Sequence, residues 1–151
     1  MAKYMTAREG VTPVAADMLL SLTTGLQEID KVEEIRIGGE ATTSTKNRMA
    51  VRRSTTNLIT PTAQTPAKKS STSPAAYTDA ATTATTQPVT AAAPAIWTES
   101  IDAHGNTVHW IAADEEDALL VQGATAGNNE LSLESSSGTG VVSLEMVHRE
   151  L

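Results

Sequence analysis

Asp102 and His104 stand two residues apart in "IDAHGNTVHW", and His109 follows five residues further on. Two imidazoles and a carboxylate are the donor types that hold a transition metal. With no fourth donor nearby, the simpler reading is a set of polar residues beside an exposed turn. No metal or other cofactor is expected. "DEED", Asp114 to Asp117, offers carboxylates to Ca²⁺, but the four are consecutive where an EF-hand loop alternates its ligands, which reads as a solvated acidic turn. The serines of "ESSSGTG" lack the G-x-S-x-G spacing of a nucleophile elbow, and "IGGE" lacks that of a phosphate-binding loop. The chain has no cysteine, so disulfides and thiolate metal sites are excluded. A protein without enzymatic activity is the expectation.

What remains is charge. "KNRMAVRR" is the basic cluster, and Arg48, Arg52 and Arg53, with the pair Lys68 and Lys69, are the candidate polar contacts to a partner. A nucleic-acid reading is disfavoured by the net charge of −7 and by the lack of Phe beside only two Trp and two Tyr, since single-strand binders stack bases on aromatics. A face that salt-bridges to an acidic subunit fits better. The charge is also unevenly spread: residues 1–70 hold ten Lys/Arg against seven Asp/Glu, whereas 71–151 hold one, Arg149, against eleven. Such bipolarity suits head-to-tail or inter-subunit contact; it equally describes two solvated faces with no partner.

The elements that position these residues read mostly as strands. In the first apolar block Met18, Leu22, Leu26 and Ile29 recur at helical spacing, but "LLSLTTG" carries the Thr and Gly of a strand and its end, and a strand is preferred. "VEEIRIGGE" predicts a strand through Val32, Ile35 and Ile37, closed by Gly38 and Gly39. "KNRMAVRR" alternates, with Met49 and Val51 on the buried face and Arg53 where that face reaches solvent. Ile96–Asp102 and Thr107–Ala112 flank "AHGN" as a predicted hairpin; "LSLES" and "VVSLEMVH" flank "SSGTG" as a second, and "ALLVQG" is a short strand between them. On the last strand Val142, Leu144 and Met146 share a face.

Short strands about ten residues apart, joined by Gly/Asn/Ser turns, predict an all-β fold, a β-sandwich or jelly-roll-like barrel. The predicted core is Ile35, Ile37, Val51, Val108, Trp110, Leu131, Leu133, Leu144 and Met146, and Trp97 and Trp110 are read as inter-sheet packing before ligand platforms. Leu, Ile and Val number only 28 in 151 residues, so the core is small and draws on both ends of the chain. Residues 1–13 are expected as an N-terminal arm and 14–151 as a single domain, with 56–95 an extended Thr/Ala/Pro-rich crossover. That tract holds almost no large side chains, and ordering it costs roughly 1–2 kcal/mol per residue. It must therefore lie across its own domain or against another chain.

The order of "ADMLLSLTTG", "EIRIGGEATTSTKNRMAVRRST", the Thr/Ala/Pro-rich crossover, "HGNTVHWIAADEEDALLVQG" and "LSLESSSGTGVVSLEMVHREL" resembles small virion structural proteins of tailed bacteriophages, over residues 14 to the end. The resemblance implies a β-sandwich subunit of capsid or tail and carries over no catalytic residue. The expected function is a capsid decoration or cement subunit that binds the major capsid protein or another virion subunit and forms homo-oligomers, a trimer for preference. Tail or head-fibre component and carbohydrate- or cell-surface-binding module are the alternatives; Trp97 or Trp110 exposed beside the acidic loop would favour the last. No apolar run spans a membrane and "MAKYMTAREG" lacks a signal-peptide core, so the expected location is the virion, after assembly in the host cytoplasm.

Overall fold

The computed structural model describes residues 1–15, 17–25, 27–53, 59–86, 95–122 and 130–151, without the side chains of 59–61 and 83–86. Twelve strands run in chain order: β1 (Ala2–Val11), β2 (Met18–Thr23), β3 (Ile29–Gly39), β4 (Lys46–Arg53), β5 (Ile59–Gln64), β6 (Ala67–Lys68), β7 (Asp79–Thr86), β8 (Trp97–Asp102), β9 (Thr107–Ile111), β10 (Leu119–Gln122), β11 (Leu131–Ser137) and β12 (Val142–Glu150). They form two antiparallel sheets packed face to face, a β-sandwich. One sheet runs β3-β12-β1-β6, with β9 and β10 sharing the outer side of β3. The other runs β5-β7-β2-β11-β4-β8.

The pairing is nested. β1 pairs with β12, β2 with β11, β3 with β9 and β4 with β8. This is a long antiparallel hairpin rolled on itself, the wrapping of a jelly roll. Among the described strands, none pairs with its neighbour in the chain.

Both predicted hairpins are therefore corrected. The turn after Asp102 carries the chain from β8 in one sheet to β9 in the other, and "SSGTG" carries it from β11 to β12 in the same way. A glycine-containing turn reverses the chain but does not choose the partner, and these strands find longer ladders elsewhere. At the β8–β9 corner, Ala103 is fully buried; its N–H donates to the Thr45 carbonyl (2.8 Å) and its carbonyl accepts from the Ala41 N–H (2.8 Å). Gly39 must lack a side chain here, since a Cβ would sit 2.4 Å from the Ala103 oxygen.

The predicted core holds, with two residues shifted to its rim. Ile35, Ile37, Val51, Leu131, Leu133, Leu144 and Met146 are buried, whereas Val108 and Trp110 are half-buried on the edge strand β9. Fully burying one such aliphatic side chain is worth about 1.5–3 kcal/mol. The uneven spacing of Val32, Ile35 and Ile37 has a structural cause. The β3–β12 register skips Glu33 between His148↔Val32 and Val147↔Glu34, a bulge that turns both Val32 and Ile35 inward.

The first residues are not an arm. β1 lies between β12 and β6, and Tyr4 is fully buried. The described part of the low-complexity tract also lies on its own domain. β7 extends the second sheet beyond β2 (Ser21↔Ala81, Leu22↔Ala80), β5 pairs with β7 outside it, and β6 crosses to pair with β1. Pro61 falls on the outermost strand, the place in a sheet where proline is tolerated. Residues 54–58 and 87–94, including Pro88 and Pro94, lie outside the described residues.

Candidate functional site

Two places concentrate chemistry. The first is a sealed polar end of the sandwich. Continuing the inward parity of Val142, Leu144 and Met146 along β12 brings His148 and Glu150 inside, opposite Tyr4 on β1 and Val32 and Asp30 on β3. His148 Nδ1 lies 2.6 Å from Asp30 Oδ2, a close approach bent away from hydrogen-bond geometry. Its other nitrogen lies 3.5 Å from the Thr6 hydroxyl, and its ring stacks on Tyr4 with centroids 5.7 Å apart.

Hydroxyl, imidazole and carboxylate in this order are the parts of an activated nucleophile. Access decides against that use: Thr6 is 1 % exposed and His148 and Asp30 0 %, so the hydroxyl faces packed protein. The cluster instead fastens the low-complexity tract. Glu150 Oε1 accepts the backbone N–H groups of Tyr77 (2.7 Å) and Thr78 (2.8 Å), Asp30 Oδ2 accepts from the Thr78 hydroxyl (3.0 Å), and the Tyr4 hydroxyl donates to the Pro74 carbonyl (3.2 Å). The Tyr77 hydroxyl donates to the Ile29 carbonyl (2.5 Å). Burial, and then the charge of Glu150, raises the Tyr4 hydroxyl above its ordinary range. Further along, the Arg8 guanidinium donates to the Leu19 and Thr82 carbonyls, and the Gln64 amide donates to the Ala7 carbonyl. Sequence reasoning missed all of these; the parity of the last strand, extended two steps, was the available signal for His148 and Glu150.

The second place is the β8/β9 edge. Trp97 on β8 pairs with the buried Val51, and Trp110 on β9 with the buried Ile35, so both rings point between the sheets from facing edge strands. Each is half-buried, and they border a cleft of about 290 Å³ with Ile96, Ile111, Ala112, Ala113, Asp117 and Leu119. Ile96 is 43 % and Ile111 57 % exposed. Among the described residues neither indole N–H meets a protein acceptor.

The predicted partner contacts are dispersed. Arg52 Nε pairs with Glu134 (3.2 Å), whose carboxyl burial pushes up against the opposing pull of Arg52. Arg53 donates to the Leu120 carbonyl (2.6 Å), and burial lowers its guanidinium pKa. Arg48 on β4 and Lys68 and Lys69 at the β6 edge are exposed and have no ion pair among the described residues, but they stand in different sheets.

The candidate ligands His104 and His109 are also spent separately. Asp102 accepts from the Ser44 hydroxyl (2.6 Å) and from the backbone N–H groups of His104 (3.0 Å) and Thr45 (3.1 Å), which hold its carboxyl below the usual range. His104 Nδ1 lies 2.9 Å from the Ala41 carbonyl oxygen. His109 joins Glu34 (3.1 Å) and Arg36 (3.2 Å) on the outer sheet face; burial works upward on Glu34, but hydrogen bonds from His109 and Arg36 prevail and keep it low. Asp114 caps the acidic turn by accepting the N–H groups of Glu116 and Asp117, and Glu115 pairs with Arg149 (2.6 Å). That leaves Glu116 and Asp117, of which Asp117 lines the cleft. No family model, curated protein or solved structure matches this chain.

Proposed function

We propose that this protein is a non-enzymatic structural subunit of a bacteriophage virion, a decoration or cement protein that docks on the major capsid protein or another virion subunit and acts through many repeated contacts. The observation that carries the reading is the β8/β9 edge, which leaves Ile96 and Ile111 exposed and Trp97 and Trp110 only partly buried, a patch suited to a protein partner. The rolled strand order supports it by analogy, since viral capsid and lectin domains both use jelly rolls. In many copies, modest contacts of this kind add through multivalency. A homo-oligomer, a trimer for preference, is part of the same proposal.

Labelling of purified phage particles with an antibody against this chain tests the reading. A regular lattice over the shell supports decoration; label confined to one vertex or to fibres moves the assignment to a tail or head-fibre component; particles without label refute both. A second reading, a carbohydrate- or cell-surface-binding module, is favoured by one observation: neither Trp97 nor Trp110 is fully buried, and both lie beside Asp117. Binding of the isolated chain to a glycan panel, lost on Trp97→Ala, would establish it.

A further inference from the structure

The Trp97–Trp110 cleft is lined by large apolar side chains and one carboxylate, Asp117, and more of its open surface is polar than apolar. Residues 95–122, which form it, contain six Asp/Glu and no Lys or Arg. Arg149 and Lys31 reach the neighbouring Glu115, through its carboxylate and its carbonyl, while the Asp117 carboxylate stays unpaired among the described residues. Indole faces attract cations through the ring quadrupole, and Trp does so best. A long alkyl stem with a charged tip matches such a site in both of its parts.

Three occupants compete for the cleft. A sugar can lay a C–H face on an indole, but Asp117 is then the one charged side chain lining the cleft to meet its hydroxyls. A second copy of the chain could offer Lys68 and Lys69, but it brings a net charge of −7 with them, so the homo-oligomer proposed above is assigned to another face. A basic partner is drawn in by the same charge. We propose that the cleft receives a lysine or arginine side chain from a basic segment of a partner protein, its stem lying against Trp97 and Trp110 and its cationic head at Asp117. This goes beyond the virion reading and holds or fails whatever particle the partner belongs to.

The test uses the full chain, whose two tryptophans give two indole N–H resonances. The probe is a six-residue peptide alternating lysine and alanine, against the same peptide with norleucine for lysine, and against methyl glucoside. The lysine peptide should shift both indole signals saturably. Asp117→Asn should weaken it about three- to five-fold, in the range of a partly exposed ion pair. Asp79→Asn, an equal charge change at an exposed position on β7, far across the same sheet from β8, should leave the affinity unchanged. Because Asp117 is exposed, its variant folds even if Trp97→Ala does not. Equal binding of the norleucine peptide, an equal effect of Asp79→Asn, or shifts with the glucoside alone would overturn the proposal. So would indole shifts that grow with protein concentration and vanish in the Lys68→Ala, Lys69→Ala variant, which would assign the cleft to a second copy.

Discussion

The two edges of this sandwich are closed by opposite means. At the β5/β6 edge a tract of Ala, Thr, Ser and Pro is held by backbone ladders and by buried acceptors, Glu150 and Asp30, that lie far away in the chain. At the β8/β9 edge the largest side chains in the protein plug the gap between the sheets and remain half-exposed. Side-chain size therefore does not predict which edge is sealed. A segment with little apolar surface can be ordered if its N–H groups meet acceptors that are themselves buried, because leaving those acceptors empty would cost more than ordering the chain. Large side chains on edge strands of facing sheets have packed protein on one side only.

Breaking the anchors should have the largest effect. Asp30→Ala removes the carboxylate beside His148 and orphans the Thr78 hydroxyl and the Lys31 N–H, so unfolding in urea should show a loss of about 1–3 kcal/mol for each buried group left without its partner. An unchanged midpoint would mean that the sealed end contributes nothing to holding the fold. Glu150→Ala should be milder overall and more local. The buried Thr78 N–H loses its acceptor at about 1–3 kcal/mol while the part-buried Tyr77 N–H turns to water, and residues 69–78 loosen, so trypsin should cut after Lys68 and Lys69 faster than in the parent while β12 stays folded.

These anchors explain what was legible in the sequence and what was not. Period-two patterns in "IRIGG", "KNRMAVRR" and "VVSLEMVH" gave strands and their inward faces, because burial on one face leaves a local mark. The partners of those strands left none: β8 and β9 meet at a four-residue turn that looks like a hairpin, but Val51 and Ile35, their true neighbours, are distant in the chain. Likewise "SPAAYTDA" reads as disordered on composition alone, and the carboxylate that orders it belongs to Glu150, 72 residues beyond Thr78. The intramolecular partners of the basic run were hidden for a related reason. Arg52 and Arg53 looked available as part of a basic run, yet Glu134 and the Leu120 carbonyl, invisible from that run, already engage them.

Two smaller effects sharpen the contrast at the open edge. Asp102 has a carboxyl held low by Ser44, His104 and Thr45, so its contribution to stability is present above the unfolded-state pKa of about 4 and is lost as pH falls through the lower folded value. Asp102→Asn should therefore flatten the acid limb of a stability–pH curve; an identical limb would place the acid sensitivity elsewhere. Ile111→Thr should change stability by no more than about 0.5 kcal/mol in thermal unfolding, since that side chain is largely in solvent. A clear loss would show that the open edge is part of the core and not a surface awaiting a partner.

The claim that the low-complexity edge is sealed by the protein itself is tested most directly by amide hydrogen exchange on the isolated full-length chain. Tyr77 to Ala81 should exchange far more slowly than an unstructured peptide, in step with the ladder between β2 and β7, with no partner present. Exchange of that segment at the rate of a free peptide, with protection gained only on assembly, would contradict the account and return the tract to the role of an arm.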